Sequence, residues 1–158
     1  MPTLAPAPPL PRSADWRAPV AAWWLATRTL GALATLAMGA VHLQQYLKLY
    51  SGVPTIGTLF LLNFAGATVL GLALLAPIER VAGRRGGATV TLAAVAAIGM
   101  AATSYAFLLI SERTPVFGWV EPGYDPPAIA AARASEIATV VLLGAFLAAH
   151  ATHSRRSS

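Results

Sequence analysis

Residues 39–63 read GAVHLQQYLKLYSGVPTIGTLFLLN. One apolar segment runs out into His42, Gln45 and Tyr46, the chain turns through Ser51, Gly52, Val53 and Pro54, and a second apolar segment opens at Ile56. Two long apolar segments joined by so short a polar turn describe a hairpin of membrane helices. Asn63 falls about two turns into the second helix at ~3.6 residues per turn. His42, Gln45 and Asn63 therefore collect at one end of the hairpin.

Working outward, a spanning helix needs roughly 20 mostly apolar residues. Four windows satisfy that length: 22–43, 56–76, 88–110 and 127–149. The expected fold is all-α, a polytopic bundle of four transmembrane helices occupying residues 22–150. Composition agrees, because 158 residues that are 56% hydrophobic and 11% charged leave too much apolar surface for one soluble domain. Residues 1–21 contain six of the twelve prolines and read as a disordered cytoplasmic tail, and residues 151–158 read as a short basic tail. Arg12, Arg17 and the Trp23-Trp24 pair resemble the front of a signal peptide, but the apolar run ends in no small-residue cleavage site. The first span is expected to stay uncleaved.

Charge orients the bundle. The N-terminal segment to Arg28, the connection 77–87 and the C-terminal tail carry eight basic and two acidic residues; the other face carries three basic and four acidic. Net charges of +6 and −1 account for the formal +5. By the excess of arginine, both termini and the glycine-rich loop 77–87 are expected in the cytoplasm of a plasma-membrane protein. No basic run is interleaved with aromatics in the manner of a nucleic-acid groove, so nucleic acid is excluded as a partner.

Helices in lipid associate where small residues let backbones approach. Gly31, Thr35 and Gly39 make one such stripe and Ala93, Ala97 and Ala101 another, with Gly57, Gly66 and Gly71 spaced more loosely on the second span. They serve packing within one bundle or the joining of copies into a homo-oligomer.

The chain has no cysteine, which removes disulfides and thiolate chemistry. A bis-histidine haem needs two histidines at one depth, whereas His42 lies at the outer end of its span and His150 and His153 at the opposite end. No spacing of ligands supports a metal, so neither cofactor nor metal is expected. Ser104 and Ser135 have no histidine three or four residues away, and no catalytic residue is assigned.

The fourth span opens on Asp125-Pro126-Pro127, an N-cap followed by proline in the first turn. Arg133 and Glu136 follow at a spacing of three, which puts them on one face as a helical ion pair. The apolar run 137–149 is 13 residues, about 20 Å against a hydrocarbon core of about 30 Å. Glu136 is thus expected below the outer interface, where ionisable groups turn toward the bundle interior. It shares that depth with His42. The loop 111–126, SERTPVFGWVEPGYDP, is long enough to fold back over them, although Trp119 and Tyr124 also suit an interfacial aromatic belt. The expected binding residues are His42, Gln45, Asn63, Glu121, Arg133 and Glu136.

His-Leu closing the first span, Ile-Gly-Thr-Leu-Phe-Leu-Leu-Asn opening the second, Phe-Gly-Trp-Val-Glu after the third and Ala-Ser-Glu-Ile-Ala in the fourth resemble a group of short four-helix integral membrane proteins common in actinobacteria. The resemblance covers about residues 39–143 and implies four spans without assigning an activity. Two functional readings follow from the residues. The first is a non-enzymatic accessory subunit or scaffold whose polar outer end binds a protein partner; the second is a small proton-coupled transporter or ligand-binding bundle that uses Glu136.

Overall fold

The computed structural model describes residues 17–155. They form α1 (Arg17–Gln45), a π-helical turn (Tyr46–Tyr50), α2 (Ile56–Leu75), the short α3 (Ile78–Ala82), α4 (Arg84–Ser111) and α5 (Pro126–Arg155). Four stretches are long and apolar enough to cross a membrane: Ala22–Tyr50, Ile56–Leu75, Arg85–Ser111 and Pro126–Thr152. The all-α four-helix bundle expected from hydropathy is the fold. α1 packs on α2 and α5, and α4 completes the ring by touching the same two helices, so α1 and α4 lie across a diagonal.

Helix ends reach beyond the apolar windows. α1 starts at Arg17, inside the expected tail of residues 1–21, because Pro19 falls in the first turn, where a missing N–H breaks no intrahelical bond. The remainder of that tail, residues 1–16, lies outside the described residues, as do residues 156–158. α5 continues through the expected tail boundary to Arg155. The connection 77–87, expected as a glycine-rich loop, is largely helical. Coiling satisfies its amides locally, and Gly83, at φ 53°, makes the bend between α3 and α4.

Burial along α1 explains its end. Arg28, Gly31, Ala32, Thr35, Met38, Gly39, His42 and Gln45 are buried at steps of three and four, and the next buried residue is Tyr50, five further on. A step of five is what a π turn supplies, and the Ser51 N–H duly donates to the Tyr46 carbonyl at 2.9 Å. Such turns recur at functional sites. Here the widened turn brings Tyr50 onto the bundle face and leaves Leu47 and Leu49 outside. The start of α2 then passes so close that a Cβ on Gly57 would stand 2.3 Å from the Tyr50 carbonyl oxygen.

The stripe of small residues on α1 serves two neighbours. Gly31 faces Leu143 of α5, while Gly39 faces Ala67 and Phe64 of α2. Ala93, Ala97 and Ala101 are all buried on α4. Most of the packed core gathers toward the chain termini, around Ala32, Leu74, Val90, Ala94, Leu143 and Phe146. Leu33, Leu62, Val69, Leu92, Val95 and Val141 point outward with at least half of their surface uncovered. That apolar exterior is stable only against lipid.

At the terminal end one buried cation ties α1 to α2. The Arg28 guanidinium donates from Nε to the Leu74 carbonyl at 2.6 Å and from Nη2 to the Ala76 carbonyl at 2.8 Å, and pairs through Nη1 with Glu79. It also lies 5.7 Å from the centroid of the Trp24 ring. The last carbonyls of α2 have no helical donor and carry the negative end of its dipole, which is where a guanidinium binds best. Arg28 is one of the eight basic residues counted on this face, and its side chain is 7% exposed and acts as a clamp.

Candidate functional site

The opposite end of the bundle is hollow. Between the helix ends lies a cavity of about 400 Å³, roofed by the loop that joins α4 to α5. That size falls within the range of small-molecule sites. Each of the six expected binding residues has a definite place relative to it: His42, Gln45, Asn63, Glu121 and Glu136 line it, and Arg133 does not.

α1 supplies the histidine. The His42 Nδ1 atom lies 2.9 Å from the Met38 carbonyl, which can only accept, so Nδ1 carries the proton. In the neutral ring Nε2 is then an acceptor, and the Ser104 hydroxyl of α4 meets it at 3.0 Å. Glu136 of α5 brings Oε1 to 4.0 Å from the same Nε2. Ser104 also interacts with the Glu136 carboxyl. Three helices thus hold one histidine, one hydroxyl and one carboxyl together, a route along which a proton can be shared.

This overturns two expectations from spacing. Ser104 has no histidine near it along its own helix, yet it meets His42 across the bundle, 62 residues away in sequence. The pair does not constitute a hydrolytic triad, because Nδ1 is engaged by a backbone carbonyl and Glu136 approaches the same nitrogen as the serine. Arg133 and Glu136 do not form the expected ion pair: Arg133 pairs with Glu112 at the end of α4. Spacing of three sets side chains on neighbouring rows of a helix but leaves open which neighbour satisfies them, and Glu112 meets the arginine near the surface while Glu136 turns inward. Glu136 is 1% exposed and its Oε2 atom has no partner.

The roof is fastened at several points. The Tyr50 hydroxyl donates to Glu121 Oε2, and the Gly123 N–H donates to the other oxygen at 3.0 Å. The Glu121 N–H in turn donates to the Ser111 carbonyl at 2.8 Å, which pins the loop to the end of α4. A tight turn through Phe117 and Gly118, both at positive φ, folds Trp119 back toward Val116. Trp119 sets its edge against the Tyr50 ring with centroids 5.8 Å apart. Of the two aromatics expected in an interfacial belt, Trp119 turns inward and only Tyr124 stays exposed.

A second fastening joins the α5 N-terminus to α1. Asp125 caps α5 through Oδ1, which accepts from the Ala128 N–H at 3.2 Å, as the Asp-Pro-Pro sequence predicts. Its Oδ2 accepts from the Gln45 amide at 2.9 Å and faces the Lys48 ammonium at 3.8 Å. The Gln45 and backbone hydrogen bonds, with help from Lys48, hold the Asp125 carboxyl below the usual carboxylate range, since all three favour its charged form.

Sequence reasoning misses Tyr50, Phe60, Ser104 and Trp119 as lining residues. The aromatic density of residues 46–60 hints at Tyr50 and Phe60 and nothing hints at the other two, because their meeting depends on how the helices are rotated. Phe60 stacks on Tyr50 at 4.5 Å and tilts against His42 at 5.0 Å. Two further orphaned polar atoms belong to cavity residues, Asn63 Oδ1 and Trp119 Nε1. Unpaired buried polar groups of this kind are costly, and each calls for an explanation. Among the described residues no group of three or more His, Cys, Asp and Glu is arranged to hold a metal ion. No family model, no curated protein and no solved structure matches the chain.

Proposed function

We propose that this chain is a multi-pass plasma-membrane protein that binds a small amphipathic molecule in its outer-end cavity and exchanges a proton at Glu136 as the ligand comes and goes. One observation carries the reading: a carboxyl that is 1% exposed, with one oxygen unpartnered, borders a cavity of about 400 Å³. A carboxyl buried in a membrane bundle is expensive and is retained where it couples to a proton or a ligand. An accessory subunit or scaffold needs no such cavity, so the geometry favours the ligand-binding alternative. No catalytic residue is assigned.

The test is native mass spectrometry of the protein purified in mild detergent, with its lipids and proteins identified together. One small molecule per chain is expected, lost in Glu136→Gln while helicity and melting are retained. An empty chain, or a stable complex with another protein and no small molecule, would restore the accessory reading.

The orientation proposed is both termini cytoplasmic, supported by the arginine excess at that end. Because the chain has no cysteine, single cysteines at Ser51, Ala82 and Ser157 report it directly. Ala82 is used because it is exposed, whereas a side chain on Gly86 would stand 2.6 Å from the backbone of Glu79. An impermeant thiol reagent is expected to label intact cells only at Ser51; labelling at Ala82 and Ser157 but not at Ser51 would invert the topology.

A further inference from the structure

On the reading that the cavity is a ligand site, we infer that its ligand is an organic cation with an apolar body, drawn from the lipid through the gap between α2 and α4.

The charge of the lining is one-sided. Its ionisable residues are His42, Tyr50, Glu121 and Glu136, with neither lysine nor arginine among them. Arg133 pairs with Glu112 and Lys48 faces Asp125, so the charge of Arg133 reaches Glu136 only at a distance. Glu121 has the Tyr50 hydroxyl and the Gly123 N–H as partners, whereas Glu136 Oε2 has none. An anionic head group would sit beside two carboxyls with no compensating charge, but a cation supplies the partner that Glu136 lacks.

The aromatic lining points the same way. His42, Phe60, Tyr50 and Trp119 form a continuous row, with successive ring centroids 5.0, 4.5 and 5.8 Å apart. Ring faces attract an ammonium or similar cation within about 6 Å, and more strongly when water is excluded. A row of π surface beside a carboxyl with one unpartnered oxygen is the chemistry that recognises a bulky organic cation, since a small hydrated metal ion gains nothing from it.

The route follows from where α2 and α4 touch. They meet at Gly66 and Met100, where a Cβ on the glycine would stand 3.0 Å from the methionine sulfur. Leu62, Gly99, Thr103 and Phe107 line the cavity and are exposed. These positions lie within membrane-spanning segments, so the cavity opens sideways into lipid, the phase in which an apolar cation concentrates.

Proton and cation then compete for one carboxyl. Around Glu136 the titratable groups are His42 from α1 and Tyr105 from α4, which borders a smaller void beside it. Arg133 on its own helix is engaged by Glu112, Glu121 of the roof is engaged by Tyr50, and α2 has no titratable side chain. Binding of the cation releases the proton from Glu136 and is favoured as pH rises.

The experiment measures equilibrium binding of tetraphenylphosphonium, of the uncharged decylubiquinol and of laurate to the full chain in phosphatidylcholine nanodiscs, with empty discs subtracted. Saturable binding of one tetraphenylphosphonium per chain is expected, strengthening with pH and weakened at least about tenfold by Glu136→Gln. The pH series uses the unaltered chain and so stands even if that variant folds poorly. A Cβ at Gly99 meets nothing within 4 Å, so Gly99→Leu is expected to fold normally, obstruct the gap and slow both binding and release about tenfold, with less change in affinity. Saturable binding of the quinol or laurate without the cation would overturn the inference and leave the cavity as a ligand site. Binding of none of the three would remove the ligand-site reading with it. Cation binding independent of pH would take the carboxyl out of the recognition, and unchanged rates in Gly99→Leu would overturn the lateral route.

Discussion

Arg28→Ala is expected to lower the stability of the bundle by about 3 kcal/mol in detergent, the sum of lost charge-assisted hydrogen bonds and a broken, mostly buried ion pair. The arginine reaches three acceptors at once, the Leu74 and Ala76 carbonyls and the Glu79 carboxylate. Truncation strands the Leu74 carbonyl and the Glu79 carboxylate near the end of α2, where the helix supplies no donors of its own, while the Ala76 carbonyl keeps the Ile78 N–H at 2.8 Å. Glu79 is 32% exposed, so water recovers part of its loss. That recovery holds the expected effect at the low end of the range for buried pairs. Arg28→Lys should restore less than half, because a point-charge ammonium cannot fork between two carbonyls and a carboxylate. The pairing itself is read from a double-mutant cycle, in which Arg28→Ala combined with Glu79→Ala should cost less than the sum of the singles. A loss under about 1 kcal/mol for Arg28→Ala would mean the cation is solvated after all.

Gly39→Leu is expected to cost a similar amount, about 3 kcal/mol, at the upper end for overpacking a tight contact. A Cβ at Gly39 would stand 2.8 Å from the Ala67 Cβ and 3.6 Å from the Phe64 Cα. Neither neighbour is the free end of a flexible side chain. Relief requires α1 and α2 to separate, and α1 is the helix on which both α2 and α5 pack. Loss of that contact would also pull His42, three residues further on, away from Ser104. Gly144→Leu is the control in the same scaffold, since a Cβ there meets nothing within 4 Å, and its effect should stay within about 0.5 kcal/mol. Equal melting temperatures for the two variants would show that α1 and α2 do not depend on this contact.

Much of the architecture was legible because it is written in local periods. Apolar runs of spanning length locate α1, α2, α4 and α5, and the Asp125-Pro126-Pro127 start is realised as a cap on the Ala128 N–H. The small-residue stripes are buried as spacing requires, Gly31, Thr35 and Gly39 on α1 and Ala93, Ala97 and Ala101 on α4. Depth was legible too: counting apolar residues back from the far end of the fourth span brings Glu136 level with His42, and the two share one cavity. The loop 111–126 was legible as a cover by its length alone, although not by which of its aromatics turns inward.

Partnership was decided only by the tertiary structure. Arg133 reaches Glu112, 21 residues away, in preference to the glutamate one helical turn along; His42 meets Ser104 and Arg28 meets Glu79 over 62 and 51 residues. The π turn that swings Tyr50 inward compounds the difficulty, since one extra residue shifts every later side chain by about 100° around the axis. A sequence determines which residues share a face of their own helix, because that follows from 3.6 residues per turn. Which faces then meet depends on how each helix is rotated about its axis, and that angle is set by packing of the whole bundle. The spans, the caps, the small-residue stripes and the depth of Glu136 were therefore determined by sequence, while the cavity, its aromatic row and the unpaired oxygen of Glu136 exist only once the helices are assembled.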